Sequence, residues 1–115
     1  MIRSAAEIQA EVLKAGRGMG LPLGLAEELA LMARGMNGSA LSRLISQLGT
    51  PEDKEVLAQM ALDHALSAAP IETLPPRLVA DADWADLSAM AALTYVPETV
   101  QSRTRGAGAG RIDND

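Results

Sequence analysis

Alanine and leucine dominate this chain, and aromatic residues are almost missing from it. Its 115 residues include 21 Ala and 16 Leu, with one Trp, one Tyr and no Phe. Ala and Leu are strong helix formers, whereas the β-branched and aromatic residues that suit strands are scarce here. The expected fold class is therefore all-α, a small bundle of four to five short helices with a Gly-rich C-terminal tail. Ala-rich faces bury little area, since each buried methylene contributes only about 0.8 kcal/mol. A thin core of this kind gains from a partner, so a homo-oligomer or a protein partner is expected.

The absences exclude function classes. With no Cys there is neither a disulfide framework nor a thiolate metal site. No apolar run approaches the ~20 residues of a membrane span. The opening Met-Ile-Arg-Ser lacks the apolar stretch of a signal peptide, which leads us to expect a cytoplasmic protein. The net charge of −5 is uneven: residues 1–50 sum to +1, 51–100 to −7 and 101–115 to +1. No segment carries the Lys/Arg stripe or the stacking aromatics that nucleic acids need, so binding to them is not expected.

Local signals set the expected helices. Ser4-Ala5-Ala6-Glu7 is a capping box, and Ile8, Val12 and Ala15 follow at helical spacing, with an end expected near Ala15 before Gly16, Gly18 and Gly20. Pro22 to Arg34 reads as a second helix with Leu25, Leu29, Met32 and Met36 on its apolar face. Ser39 to Leu48 reads as a third, its stripe being Leu41, Leu44, Ile45 and Leu48, with Gly49 as its cap. Thr50-Pro51-Glu52-Asp53 starts a fourth that runs to about Ala68 on Val56, Leu57, Met60, Ala61 and Leu66. Pro70, Pro75 and Pro76 then impose a loop. A fifth helix is expected from Asp81 or Asp83 to Thr94, burying Trp84, Leu87 and Ala91. Residues 1–103 form the expected helical domain, and 104–115 a tail ending Asp-Asn-Asp.

Several patterns that carry chemistry elsewhere fail here. Gly16-Arg17-Gly18-Met19-Gly20 follows a helix rather than a strand, and no Lys-Ser/Thr succeeds it, so it reads as a connection that lets two Ala-rich helices pack closely. Leu25 to Leu48 lacks the 3–4-residue turn of a DNA-binding helix pair. Asp81, Asp83 and Asp86 lack the glycine of a calcium loop and read as acids at a helix start. His64, the lone imidazole, reads as a surface or boundary residue, and adjacent Glu27 and Glu28 point about 100° apart. No catalytic residue, metal ligand or cofactor is assigned. The remaining ligand-binding candidates are Arg17, near the start of the second helix, together with Glu27 and a tail set. That set comprises Ser102, Arg103, Gly106, Gly108, Gly110, Asp113, Asn114 and Asp115, in which arginine would grip an anion and glycine would allow close backbone approach.

Two blocks bear a family likeness. Glu7-Ile8, then Leu13-Lys14-Ala15-Gly16-Arg17-Gly18-Met19-Gly20 and Gly24-Leu25-Ala26-Glu27-Glu28, resemble the opening of a bacterial family of uncharacterised proteins, the domain of unknown function 3726. Thr94-Tyr95-Val96-Pro97, Ser102-Arg103, the Gly106–Gly110 run and Asp113-Asn114-Asp115 resemble its C-terminal end. The chain departs from that pattern at Gly16, at Leu23 and in a shorter middle. The resemblance carries no reaction, but it implies that the tail is used. The first functional expectation is a non-enzymatic interaction or accessory protein acting through a helical face. The second is a small-molecule or anion-binding protein, or an enzyme, whose pocket the tail closes. A DNA-binding regulator ranks third.

Overall fold

A computed structural model describes residues 1–68 and 70–95. Among these residues, five α-helices and one two-residue strand pair make an all-α architecture. Among the described residues, no helix is long and apolar enough to cross a membrane. The central helix, α1 (Ala5–Gly18), begins as its capping box dictates. The Glu7 amide donates to Ser4 Oγ at 3.1 Å, and the Ser4 amide donates to Glu7 Oε1 at 2.8 Å. Ile8, Val12 and Ala15 are fully buried.

The helix does not stop near Ala15, as its glycines suggest; it runs on through Gly16 to Gly18. Close packing is the reason. A Cβ on Gly16 would lie 3.0 Å from Ala26 Cβ, and one on Gly18 only 2.0 Å from the Met90 carbonyl oxygen. The two glycines do let helices approach closely, but from inside a helix rather than from a connection. Gly20 supplies the actual end. It takes φ +87°, while the Leu21 amide donates to the Gly16 carbonyl and the Gly20 amide to that of Arg17. This is a Schellman motif, and it turns Leu21 back into the core.

Pro22 stands just before α2 (Leu23–Ala33) rather than inside it, and Met36 lies past the helix end. Ala26, Leu29, Ala30 and Ala33 are buried. Asn37 caps α3 (Gly38–Leu48) by accepting from the Ala40 amide at 3.1 Å. Leu41, Leu44, Ile45 and Leu48 are all buried, as their spacing predicts. Gly49 ends the helix without a left-handed conformation, at φ −82°.

Pro51 opens a 3-10 turn (Pro51–Asp53), and α4 (Lys54–Ser67) follows it. Thr50 makes no cap; its hydroxyl donates to the Ser46 carbonyl at 2.8 Å. Leu57 and Ala61 are buried on α4, but Val56 and Leu66 are not, at 46% and 74% exposed. The reason is a narrow contact: α4 rests on α2 and α3 at the edge of the bundle, so only one strip of it is covered.

The strand pair was not signalled by the sequence. β1 (Ile2–Arg3) pairs antiparallel with β2 (Arg77–Leu78), and the N-terminal amino group donates to the Val79 carbonyl at 3.0 Å. This places α5 (Asp81–Ala92) against α1, where Ser88 Oγ donates to Glu11 Oε2 at 2.9 Å. Leu87 and Ala91 are buried; Trp84 is only half-buried, with the Arg3 guanidinium 4.1 Å from its ring centroid. After Ala92 the expected last turn tightens into a 3-10 turn, Leu93–Tyr95. The core lies where α1 is sandwiched between α2 and α5.

Candidate functional site

The sequence candidates do not form one described cluster. Arg17 sits in the last turn of α1, where its charge opposes the helix dipole, and its Nη1 donates to the Leu21 carbonyl at 3.2 Å. It lines a pocket of about 420 Å³ with Leu13, Lys14, Leu23 and Thr94. Part of its hydrogen-bonding capacity thus serves the turn into α2. Glu27 is exposed on α2 and lines a different pocket, of about 440 Å³, that also includes Gln9, Gly24 and Glu28. Ser102, Arg103, Gly106, Gly108, Gly110, Asp113, Asn114 and Asp115 lie outside the described residues, as does the 104–115 tail as a whole.

A site that the sequence reading missed lies at the C-terminal end of α2. Leu31, Met32, Gly35, Met36, His64, Pro70, Ile71 and Glu72 line a pocket of about 570 Å³, within the range of small-molecule sites. Its walls come from α2 and the turn after it, from α4, and from a strap formed by residues 70–76 that crosses the end of α2. His64 projects from α4, and its Nδ1 is hydrogen-bonded to Glu28 Oε2 on α2. An ionised carboxylate only accepts, so Nδ1 carries a proton in this pair; in the neutral ring Nε2 is then an acceptor.

The strap is held by backbone and arginine hydrogen bonds rather than by apolar anchors. The Leu74 amide donates to the Arg34 carbonyl at 3.0 Å. Arg34 Nε donates to Thr73 Oγ1 at 3.3 Å, and its Nη1 donates to Gln9 Oε1 on α1. From the far end of the strap, Arg77 Nη2 donates to the Ala33 and Arg34 carbonyls at 2.7 and 3.1 Å, and Nη1 to that of Pro75 at 3.2 Å. The guanidinium thereby satisfies carbonyls that every helix leaves unpaired at its C-terminus. Burial lowers the pKa of Arg77 from its ordinary value. Gly35 permits the crossing, because a Cβ there would lie 3.0 Å from Glu72 Cβ and 3.2 Å from its carbonyl oxygen.

One signal for this site stood in the sequence. Met32, in the last turn of α2, and Met36, just past its end, stand four residues apart, and methionine suits adaptable binding surfaces. No spacing rule joins that pair to His64 and Glu72, however, because the strap brings them together only in three dimensions.

No curated protein and no solved structure matches the chain. A family match does exist, and it spans residues 3–92, taking in the middle of the chain along with the Gly-rich end of α1 and stopping before the last 3-10 turn. The strap, α4 and the pocket all fall within it. On that span the chain belongs to DUF3726, a family of proteins of unknown function.

Proposed function

We propose that the chain is a bacterial cytoplasmic interaction protein, non-enzymatic, whose outward α4 face docks a second copy of itself. One observation carries the reading. Ala58, Leu62, Ala65 and Leu66 recur at i, i+4, i+7 and i+8, the spacing of a buried helix stripe, yet all four are exposed. Leu57 and Ala61 are buried on the other side of α4, so this helix is apolar on two faces and the described residues cover only one of them. Contiguous exposed apolar surface of this kind marks interaction sites.

The stripe is also self-complementary. When two α4 helices pack antiparallel about a twofold axis at Leu62, Ala58 of each copy faces Leu66 of the other, small against large. Antiparallel packing also sets the helix dipoles head to tail. Light scattering across a concentration series up to high micromolar tests the proposal. Wild-type protein is expected to show a rising mass, and Leu62→Glu to remain a monomer with unchanged melting temperature, because a residue on the axis meets its own copy. A wild-type protein that stays strictly monomeric over the series sinks the reading.

A second reading, a pocket for an anion closed by the tail, draws support from one contact region. Thr94 lines the same pocket as Lys14 and Arg17, so the chain passes this pocket on its way to the tail arginines. Deleting residues 104–115 tests it: if phosphate shifts the melting temperature of the intact and the shortened chain equally, the tail has no part in binding.

A further inference from the structure

We infer that the pocket between the end of α2, α4 and the strap binds a small amphiphilic amine, with its hydrocarbon part against the methionines and its ammonium group at Glu72 and His64. The proposal is independent of α4 self-association.

Shape comes first. A volume of about 570 Å³ accommodates a small molecule. Leu31, Met32, Met36, Pro70 and Ile71 make most of the wall apolar. Two unbranched thioether side chains let that wall conform to a flexible hydrocarbon. The strap closing one side is tied down by the Leu74–Arg34 backbone hydrogen bond and by Arg34 and Arg77, so the cavity is built into the fold.

Charge selects the ligand class. Among the described residues, the polar side chains lining the pocket are those of His64 and Glu72. Glu28 stands behind His64 and accepts a hydrogen bond from its Nδ1–H, which leaves Nε2 of the neutral ring able to accept from an ammonium N–H. The pocket sits at the negative end of the α2 dipole. The two nearby guanidinium groups are engaged elsewhere: Arg34 with Gln9 and Thr73, and Arg77 with three main-chain carbonyls. Neither lines the pocket. Among the described residues a carboxylate or phosphate would meet Glu72 without a compensating cation, whereas an ammonium group meets an acceptor and a carboxylate.

The test uses the full chain with 13C-methyl methionine and three probes of one chain length, hexylamine, hexanol and hexanoate. Hexylamine is expected to shift the Met32 and Met36 methyl resonances saturably, and to bind about tenfold more tightly than the alcohol or the acid. Glu72→Gln, at an exposed position where folding is not at stake, is expected to bring the amine down to the affinity of hexanol. Leu62→Glu is expected to leave binding unchanged, which separates this site from the α4 face. The inference is overturned if hexylamine produces no saturable shift, if hexanol or hexanoate binds as tightly, or if Glu72→Gln leaves the preference for the amine intact.

Discussion

Gly18→Ala examines the tightest point of the fold, the crossing of α1 and α5. A Cβ at residue 18 would lie 2.0 Å from the Met90 carbonyl oxygen, 3.1 Å from its carbonyl carbon and 3.2 Å from Leu93 Cβ. Ordinary contact begins at 3.4 Å, and the two nearest atoms are backbone, so no change of rotamer relieves the clash. The helices must separate by something on the order of 1 Å, a gap that forfeits a quarter to a half of the dispersion attraction across it. Val12, Ala15, Leu87 and Ala91, all buried in the core, are the side chains that lose contact.

Overpacking of this kind costs about 1–3 kcal/mol, and backbone on both sides puts Gly18 toward the upper end. Removing a helical glycine returns up to about 1 kcal/mol. A net loss of about 1–2 kcal/mol lowers the melting temperature of a domain this size by roughly 5–15 °C. Gly24→Ala is the control, because a Cβ there meets nothing within 4 Å; its melting temperature is expected to hold or rise. Thermal unfolding followed by circular dichroism reads both. A Gly18→Ala protein as stable as the wild type would refute the reasoning, for it would mean that α1 and α5 do not touch through their backbones.

Further outcomes are expected at three other places in the fold. Ser4→Ala removes the Oγ acceptor for the Glu7 amide and should cost about 1 kcal/mol in denaturant unfolding. The backbone hydrogen bond from Ser4 lowers the Glu7 pKa more than any other influence. Its stabilisation is therefore present above the ordinary glutamate range and lost as pH falls through the lowered folded value, which an NMR titration of the Glu7 carboxyl checks. Arg77→Met strips hydrogen bonds from the Ala33, Arg34 and Pro75 carbonyls and should cost about 1–3 kcal/mol. Faster hydrogen exchange at Leu74, whose amide donates to Arg34, is the local signature; unchanged exchange there would show that the strap does not depend on Arg77. A double-mutant cycle on Glu28→Gln and His64→Ala should give a coupling of about 0.5–1 kcal/mol, the modest size expected of a hydrogen bond between side chains that remain about a quarter exposed, at 23% and 26%. A coupling indistinguishable from zero would show that the pair does not tie α4 to α2.

The features legible in the sequence were those written in neighbouring residues. Ser4 and Glu7 announced the start of α1, and Leu41, Leu44, Ile45 and Leu48 announced the buried face of α3; both depend on spacings of three or four that a helix enforces. Glycine misled at the end of α1, because propensity treats Gly16 and Gly18 as breaks, whereas their contacts with Ala26 and Met90 come from α2 and α5. The β1–β2 pair is two residues long, too short for alternation to register. His64 followed the same logic. A lone imidazole carries no pattern, and its meaning depends on Glu28, 36 positions earlier in the chain, and on a strap held by Arg34 and Arg77.

Helix α4 shows how an Ala/Leu-rich chain with a thin core still leaves apolar side chains uncovered among its described residues. The central packing is made by α1 with α2 and α5, and β1 pairs with β2 to fasten the start of the chain beside α5. The segment from Pro51 to Pro76 wraps outside this centre, and on α4 it commits only Leu57 and Ala61 to full burial. Leu62 and Leu66 are left facing outward, and the strap that follows α4 closes the pocket over Met32 and Met36. Both candidate surfaces therefore lie on the part of the fold that the core depends on least. Leu62→Glu should abolish self-association and Glu72→Gln the preference for the amine, each leaving α1, α2 and α5 packed as before, because neither residue belongs to the core. Unchanged melting temperatures in both variants, together with loss of only the matching binding behaviour in each, are the expected result. A large fall in stability from either one would place α4 or the strap inside the cooperative core.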